Sequence, residues 1–274
     1  MIKLVATDLD GTLVHDRKMH KKDRAALMEV LSKGIPVVPV TTRMRYSSSE
    51  MLGDVPIYRS PLVCMNGAHV IGPGWDDEIH KEWFKKTHDI DTARAISSYT
   101  DEKGYEMTII FGEKKFWKTR YGQRPGPHPS DSITHLVERN QDALEFGEPI
   151  SFMMHDDRNG KEGLKDIENF AKVNFKNKVT VHRHHRMRDW VALTIYPPRT
   201  NKLNGLKIVC KKMNISLDDV LAIGDDLVDK EMIEASGIGV AMGDSPDEVR
   251  SVADDLAPSC TEQGFSWALN KHVI

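Results

Sequence analysis

Residues 5–13, Val-Ala-Thr-Asp-Leu-Asp-Gly-Thr-Leu, constrain this chain most, because a short apolar run stops there in two carboxylates one residue apart. The run 2–6 is largely apolar and β-branched, the pattern of a strand buried on both faces of a parallel sheet. Asp8 and Asp10 then stand at its carboxyl end, and Gly11 lets the backbone bend and approach a ligand closely. In open α/β sheets, that edge is where ligands bind. The competing reading is that both acids cap the turn that follows, where Asp is common.

Two neighbouring carboxylates suit phosphoryl transfer. Hydrolysis of phosphate esters is among the slowest uncatalysed reactions, with enzymatic accelerations up to ~10²¹-fold, so several groups must cooperate. One carboxylate can attack phosphorus while the other handles protons. Mg2+ fits such an oxygen-rich site, since it takes one or two carboxylates and keeps waters and substrate oxygens as its other ligands.

Three more apolar runs end in polar groups. Residues 34–42 finish in Thr41 and Thr42, with Arg43 directly after. Residues 62–68 read as a strand closing in an Asn66-Gly67 turn. Residues 220–229 close in Gly224, Asp225, Asp226 and Asp229. Strand ends therefore deliver carboxylate, hydroxyl, amide and carboxylate. Each also has a plainer reading: Thr41 as a cap, Asp225 and Asp226 as caps of a helix over 227–235, and Lys202 as one more solvated lysine.

With these motifs in order, the chain resembles the haloacid dehalogenase-like hydrolase superfamily, and within it the Cof-type phosphatases with a type IIB cap. The resemblance implies an α/β fold, a Rossmann-like three-layer core with a mainly parallel sheet plus an inserted α+β cap domain. It implies that Asp8 is a nucleophile forming an aspartyl-phosphate and Asp10 a general acid and base. Thr41 matches the second motif, Lys202 the third, and Asp225 with Asp229 the fourth. Asp8, Asp225 and the backbone carbonyl of Asp10 would hold Mg2+, and Asp229 would bind it through water or orient Lys202. The residue types suit those roles on their own: Thr41 can donate to a phosphoryl oxygen, and Lys202 can neutralise charge shared by nucleophile and phosphoryl group.

The chain departs from the family pattern in three places. The usual Thr-Gly-Arg reads Thr41-Thr42-Arg43, Val228 stands where an Asn precedes Asp229, and the usual Gly-Asn-Ala reads Gly243-Asp244-Ser245.

Between about Gly72 and Pro198 the strands ending in functional groups disappear. There, 89–103 and 161–173 have helical spacing, and 105–111, 150–155, 179–182 and 191–196 read as strands. Residues 124–129, with three prolines, form a loop. The expected division is a core of 1–78 and 199–274 and a cap of 79–198, with Gly72-Pro73-Gly74 and Pro197-Pro198 as connections. Met153, Met154 and Trp190 read as core. Arg183 and Arg186, in a His-Arg-His-His-Arg cluster, are candidates for an anionic leaving group, although a charge run is more often a solvated face. Arg43 and Asn66, both following strands at the catalytic edge, are the other substrate-binding candidates.

At 274 residues and 39% hydrophobic, the chain can bury a substantial core. A formal net charge of -3 argues against broad nucleic-acid binding. Three cysteines lack metal-ligand spacing and suit a reduced, cytoplasmic protein, and no membrane segment or secretion signal is apparent. The expected activity is Mg2+-dependent removal of phosphate from a small phosphorylated metabolite, with sugar phosphates as the class the resemblance favours, by a monomer or small homo-oligomer. A sugar phosphomutase and a catalytically silent metabolite-binding protein are the alternatives.

Overall fold

In a computed structural model the chain forms two compact units, residues 1–84 with 201–274 and residues 85–200. The structure describes residues 1–53, 55–76, 80–118, 133–187 and 190–274, and the side chains of 185–187 and 190 are also outside the description. The expectations for the side chains of Arg186 and Trp190 and for the loop 124–129 lie outside what is described.

The first unit begins with β1 (Leu4–Thr7), α1 (Lys21–Ser32), β2 (Val37–Pro39), α2 (Arg45–Leu52), β3 (Leu62–Cys64), β4 (His69–Ile71) and β5 (Glu82–Lys85). The second unit supplies α3 (Ile90–Glu102), β6 (Thr108–Ile110), β7 (Lys115–Lys118), β8 (Thr134–Val137), β9 (Ser151–His155), α4 (Asp156–Asn174), β10 (Thr180–Met187) and β11 (Trp190–Tyr196). The chain then returns to the first unit as α5 (Lys202–Met213), β12 (Val220–Gly224), α6 (Lys230–Ala235), β13 (Ile238–Ala241), α7 (Asp247–Arg250), β14 (Asp255–Leu256) and α8 (Gly264–His272).

The first unit is built on a parallel sheet in the order β14-β13-β12-β1-β2. Its strands read as continuous apolar runs because helices cover both faces. Leu4, Ala6, Val220 and Ala222 pack with Leu206 and Val209 of α5 and Met232 of α6. On the other face α1 packs with α8, and both reach the sheet. The order of strand addition reverses at β1, with β2 on one side and β12 on the other, which sets a topological switch point at the carboxyl ends of β1 and β12, where open sheets hold ligands. β3 joins through a parallel bridge between Val40 and Val63, then pairs with β4 in an antiparallel sheet.

The expected Asn66-Gly67 turn is present and starts one residue earlier. Pairing stops at Cys64, and residues 65–67 form a tight 3-10 turn in which Met65, Asn66 and Gly67 all have positive φ. The stretch Gly72-Pro73-Gly74 lies inside the first unit, ahead of β5.

The second unit has a six-stranded sheet, β10-β11-β9-β6-β7-β8, antiparallel except for β7 with β8. Ile109, Phe116, Phe152, Met154, Leu193 and Ile195 point to one face and pack with Ala93 and Ile96 of α3 and Leu164 and Ile167 of α4. Burying each such side chain contributes about 1.5–3 kcal/mol before entropy is charged. The helix expected over 161–173 is the regular part of α4, which breaks at Gly160 (φ 70°). Met154 is core and Met153 half-buried. No helix among the described residues is long and apolar enough to cross a membrane.

Candidate active site

Parallel pairing of β1 with β12, Thr7 opposite Ile223, carries Asp8 and Asp225 off adjacent strand ends. The Asp8 backbone N–H still donates to the Ile223 carbonyl at 3.0 Å, so the register is held up to the site itself. Lys202 enters from the first turn of α5, whose start is fixed by the Asn201 side chain accepting from the Asn204 N–H at 2.8 Å.

Three buried groups form a chain of charge. Lys202 Nζ lies 2.7 Å from Asp8 Oδ1 and 2.6 Å from Asp229 Oδ1. Asp229 Oδ2 accepts the backbone N–H groups of Asp225 and Asp226, at 3.2 and 3.1 Å. Both oxygens of Asp229 are thereby occupied in positioning the lysine and the acidic turn. Burial alone would lower the Lys202 ammonium, but Asp229 and Asp8 outweigh it and hold the lysine above its ordinary range. Burial pushes the Asp8 carboxyl up to about 7; the charges of Asp229 and Asp10 add to that, and Lys202 opposes it. Asp225 is likewise raised, by burial first and by Asp8 second.

One carboxylate oxygen from each of Asp8, Asp225 and Asp229 lies within a 4.8 Å cluster. Among the described residues, the second oxygens of Asp8 and Asp225 accept no hydrogen bond. Two raised carboxylates with uncommitted oxygens are what a hard, oxygen-seeking divalent cation requires, so the donor set fits Mg2+.

Thr12 is a residue that the sequence reading missed. Its buried hydroxyl donates to Asp225 Oδ1 at 2.6 Å, fixing how that carboxyl turns. Gly11 makes room for it: at φ 86°, a Cβ on residue 11 would sit 2.3 Å from Asp225 Oδ2. The only sequence signal was a hydroxyl two positions beyond Asp10.

Asp10 is positioned differently from the other acids. Arg43 donates to it twice, Nε to Oδ2 at 2.5 Å and Nη2 to Oδ1 at 2.6 Å. The Arg43 N–H in turn donates to Thr41 Oγ1 at 3.1 Å, and Thr41 is fully buried. The Thr41 hydroxyl therefore caps its own turn while its proton stays available for an acceptor. The Asn66 N–H donates to the Thr41 carbonyl, and the Met65 N–H to that of Arg43, both at 3.0 Å.

Asp8, Asp225, Asp229 and Lys202 thus make one contact network at the carboxyl edge of the first unit's sheet, and Asp10, Arg43, Thr41 and Asn66 make a second, chained through Arg43 and Thr41. Arg183 lies in the second unit, where its guanidinium pairs with Glu168 of α4. It faces the helix-covered side, opposite the core residue Leu193 in register.

The family description "haloacid dehalogenase-like hydrolase" matches residues 5–269. The chain is 28% identical over 281 residues to a stress response protein, YhaX, of Bacillus subtilis (strain 168), covering 98% of this chain and 93% of that protein. It is 26% identical over 276 residues to the 5-amino-6-(5-phospho-D-ribitylamino)uracil phosphatase YcsE of the same organism, covering 100% and 96%. A haloacid dehalogenase-like hydrolase from Bacteroides thetaiotaomicron has the same fold at a TM-score of 0.82 and 18% identity, over 99% of each chain. Motif order, sheet topology and the matched span agree, and the chain belongs to the haloacid dehalogenase-like hydrolases.

Proposed function

We propose that this hydrolase is a Mg2+-dependent phosphatase that removes phosphate from a small phosphorylated metabolite through a phosphorylated Asp8. The observation that carries this reading is the buried Asp8–Lys202–Asp229 chain beside Asp225. Lys202 fixes one Asp8 oxygen and leaves the other to attack, while its charge meets the charge that builds on the phosphoryl group. Asp10 protonates the leaving oxygen in the first step and takes a proton from water in the second, aligned throughout by Arg43. Thr41 donates to a phosphoryl oxygen. Asp8 and Asp225, with the Asp10 carbonyl, hold Mg2+, and Asp229 serves the site by holding Lys202 and the turn 225–226. When bound, the ion supplies positive charge that keeps Asp8 ionised and offsets phosphate charge.

In this reading the second unit is the type IIB cap. A phosphorylated sugar or polyol is the substrate class this reading favours, supported by the phosphoribityl substrate in the name of the YcsE relative. Phosphate release from a panel of phosphorylated metabolites, with Mg2+ or with a chelator, tests the reading. Release that needs the metal and disappears in Asp8→Asn supports it. Metal-independent release, or equal release by the variant, refutes it.

A further inference from the structure

Three consecutive residues, Met65, Asn66 and Gly67, have φ of 51°, 56° and 92°. A single left-handed residue is ordinary in a turn; a run of three, two of them not glycine, is a sparsely populated backbone that persists only where its surroundings hold it. Here the surroundings are visible. On one side the Met65 and Asn66 N–H groups donate to the carbonyls of Arg43 and Thr41. On the other, Gly67 presses on the start of the Lys202 helix so closely that a Cβ there would lie 2.1 Å from the Asn201 carbonyl oxygen. The turn is clamped between the loop that aligns Asp10 and the helix that delivers Lys202.

Inside this turn the Asn66 side chain is 3% exposed, and among the described residues its Oδ1 meets no donor. A buried amide oxygen without a partner is uncommon and calls for a donor. The donors of the phosphoryl site are engaged elsewhere, Lys202 with Asp8 and Asp229, Arg43 with Asp10 and Thr41 with the phosphoryl oxygen, while its carboxylates and phosphoryl oxygens are acceptors, as Oδ1 is. The missing partner has to be an O–H or N–H.

We infer that Asn66 reads a hydroxyl on the substrate's leaving group, so that the site selects phosphorylated polyols or sugars over esters of plain alcohols. This rests on the phosphatase reading and deepens it by assigning one residue to leaving-group choice. The rival explanation is that Asn stands here only because it tolerates the left-handed backbone. Glycine tolerates it better, so Asn66→Gly keeps the fold and removes only the amide.

The test compares sorbitol 6-phosphate with hexyl phosphate on the native chain and on Asn66→Gly, each with a measured Tm. The expected result is a native kcat/KM ratio strongly favouring the polyol ester that falls at least tenfold in the variant, with Tm nearly unchanged. The same ratio in both proteins overturns the inference. Binding of the two esters to Asp8→Asn and to Asp8→Asn/Asn66→Gly, by calorimetry, gives the ratio without turnover. It decides on Asn66 even if the chain hydrolyses neither ester, a result that would count against the phosphatase reading alone.

Discussion

Arg43 grips Asp10 fork to fork, with two donors on two oxygens at 2.5 and 2.6 Å. An ammonium cannot reproduce that planar alignment, because Lys offers a point charge where Arg offers a fixed pair. Arg43→Lys therefore lowers kcat by roughly tenfold or more, as expected when general acid–base geometry is loosened. Steady-state kinetics check this; native turnover in the variant would show that the pair is incidental.

Lys202 is 1% exposed and stands between two carboxylates. Replacing it by Met keeps the volume and leaves those acids buried without a counter-charge, which costs roughly 3–5 kcal/mol. Urea unfolding at neutral pH should show that loss in Lys202→Met, partly restored by added Mg2+. An unchanged midpoint would mean the carboxylates are not charged in the native chain.

Gly11 is held at φ 86° against the Asp225 carboxylate. Gly11→Ala strains the backbone and pushes Asp225 from its bond with Thr12. Outer contacts of this kind are worth ~10–100-fold in metal affinity. Calorimetric Mg2+ titration should find the variant weaker by that order, and equal affinity would separate Thr12 and Gly11 from the cation.

His88 gives the second unit a pH dependence. Burial holds its imidazole down to about 4, against an ordinary 6.5, and the bond to the Ile195 carbonyl opposes that only in part. Between those values the unfolded chain binds a proton that the folded chain does not. Stability is therefore full above pH 6.5 and falls as pH drops toward 4, by roughly 3 kcal/mol for this group. Unfolding curves of the native chain and His88→Gln over that window should converge as pH falls; parallel curves would contradict the assignment.

The first unit was legible because its signals are local. Apolar runs ending at Asp8, Thr41 and Asp225 mark strand ends in a parallel sheet, and a parallel sheet puts strand ends together. What depended on tertiary packing was not legible. The Asn66-Gly67 turn was legible as a turn, but its start at Met65 was not, because Met65 extends the apolar run, and its positive φ values come from being clamped against Thr41, Arg43 and Asn201. Thr12 could not be assigned because its partner lies 213 residues away. In the second unit, β7 (Lys-Phe-Trp-Lys) and β8 (Thr-His-Leu-Val) are too short to show a periodic pattern, and the cationic cluster gave no hint that Arg183 would turn to Glu168.

The central claim is that phosphate passes through Asp8. The most direct measurement is rapid quenching of the Mg2+-loaded chain during turnover of a ³²P-labelled substrate, followed by peptide mapping and hydroxylamine treatment. The expected result is a hydroxylamine-labile label on the peptide containing Asp8, absent from Asp8→Asn. Turnover with no covalent label, or a label that survives in Asp8→Asn, would contradict it.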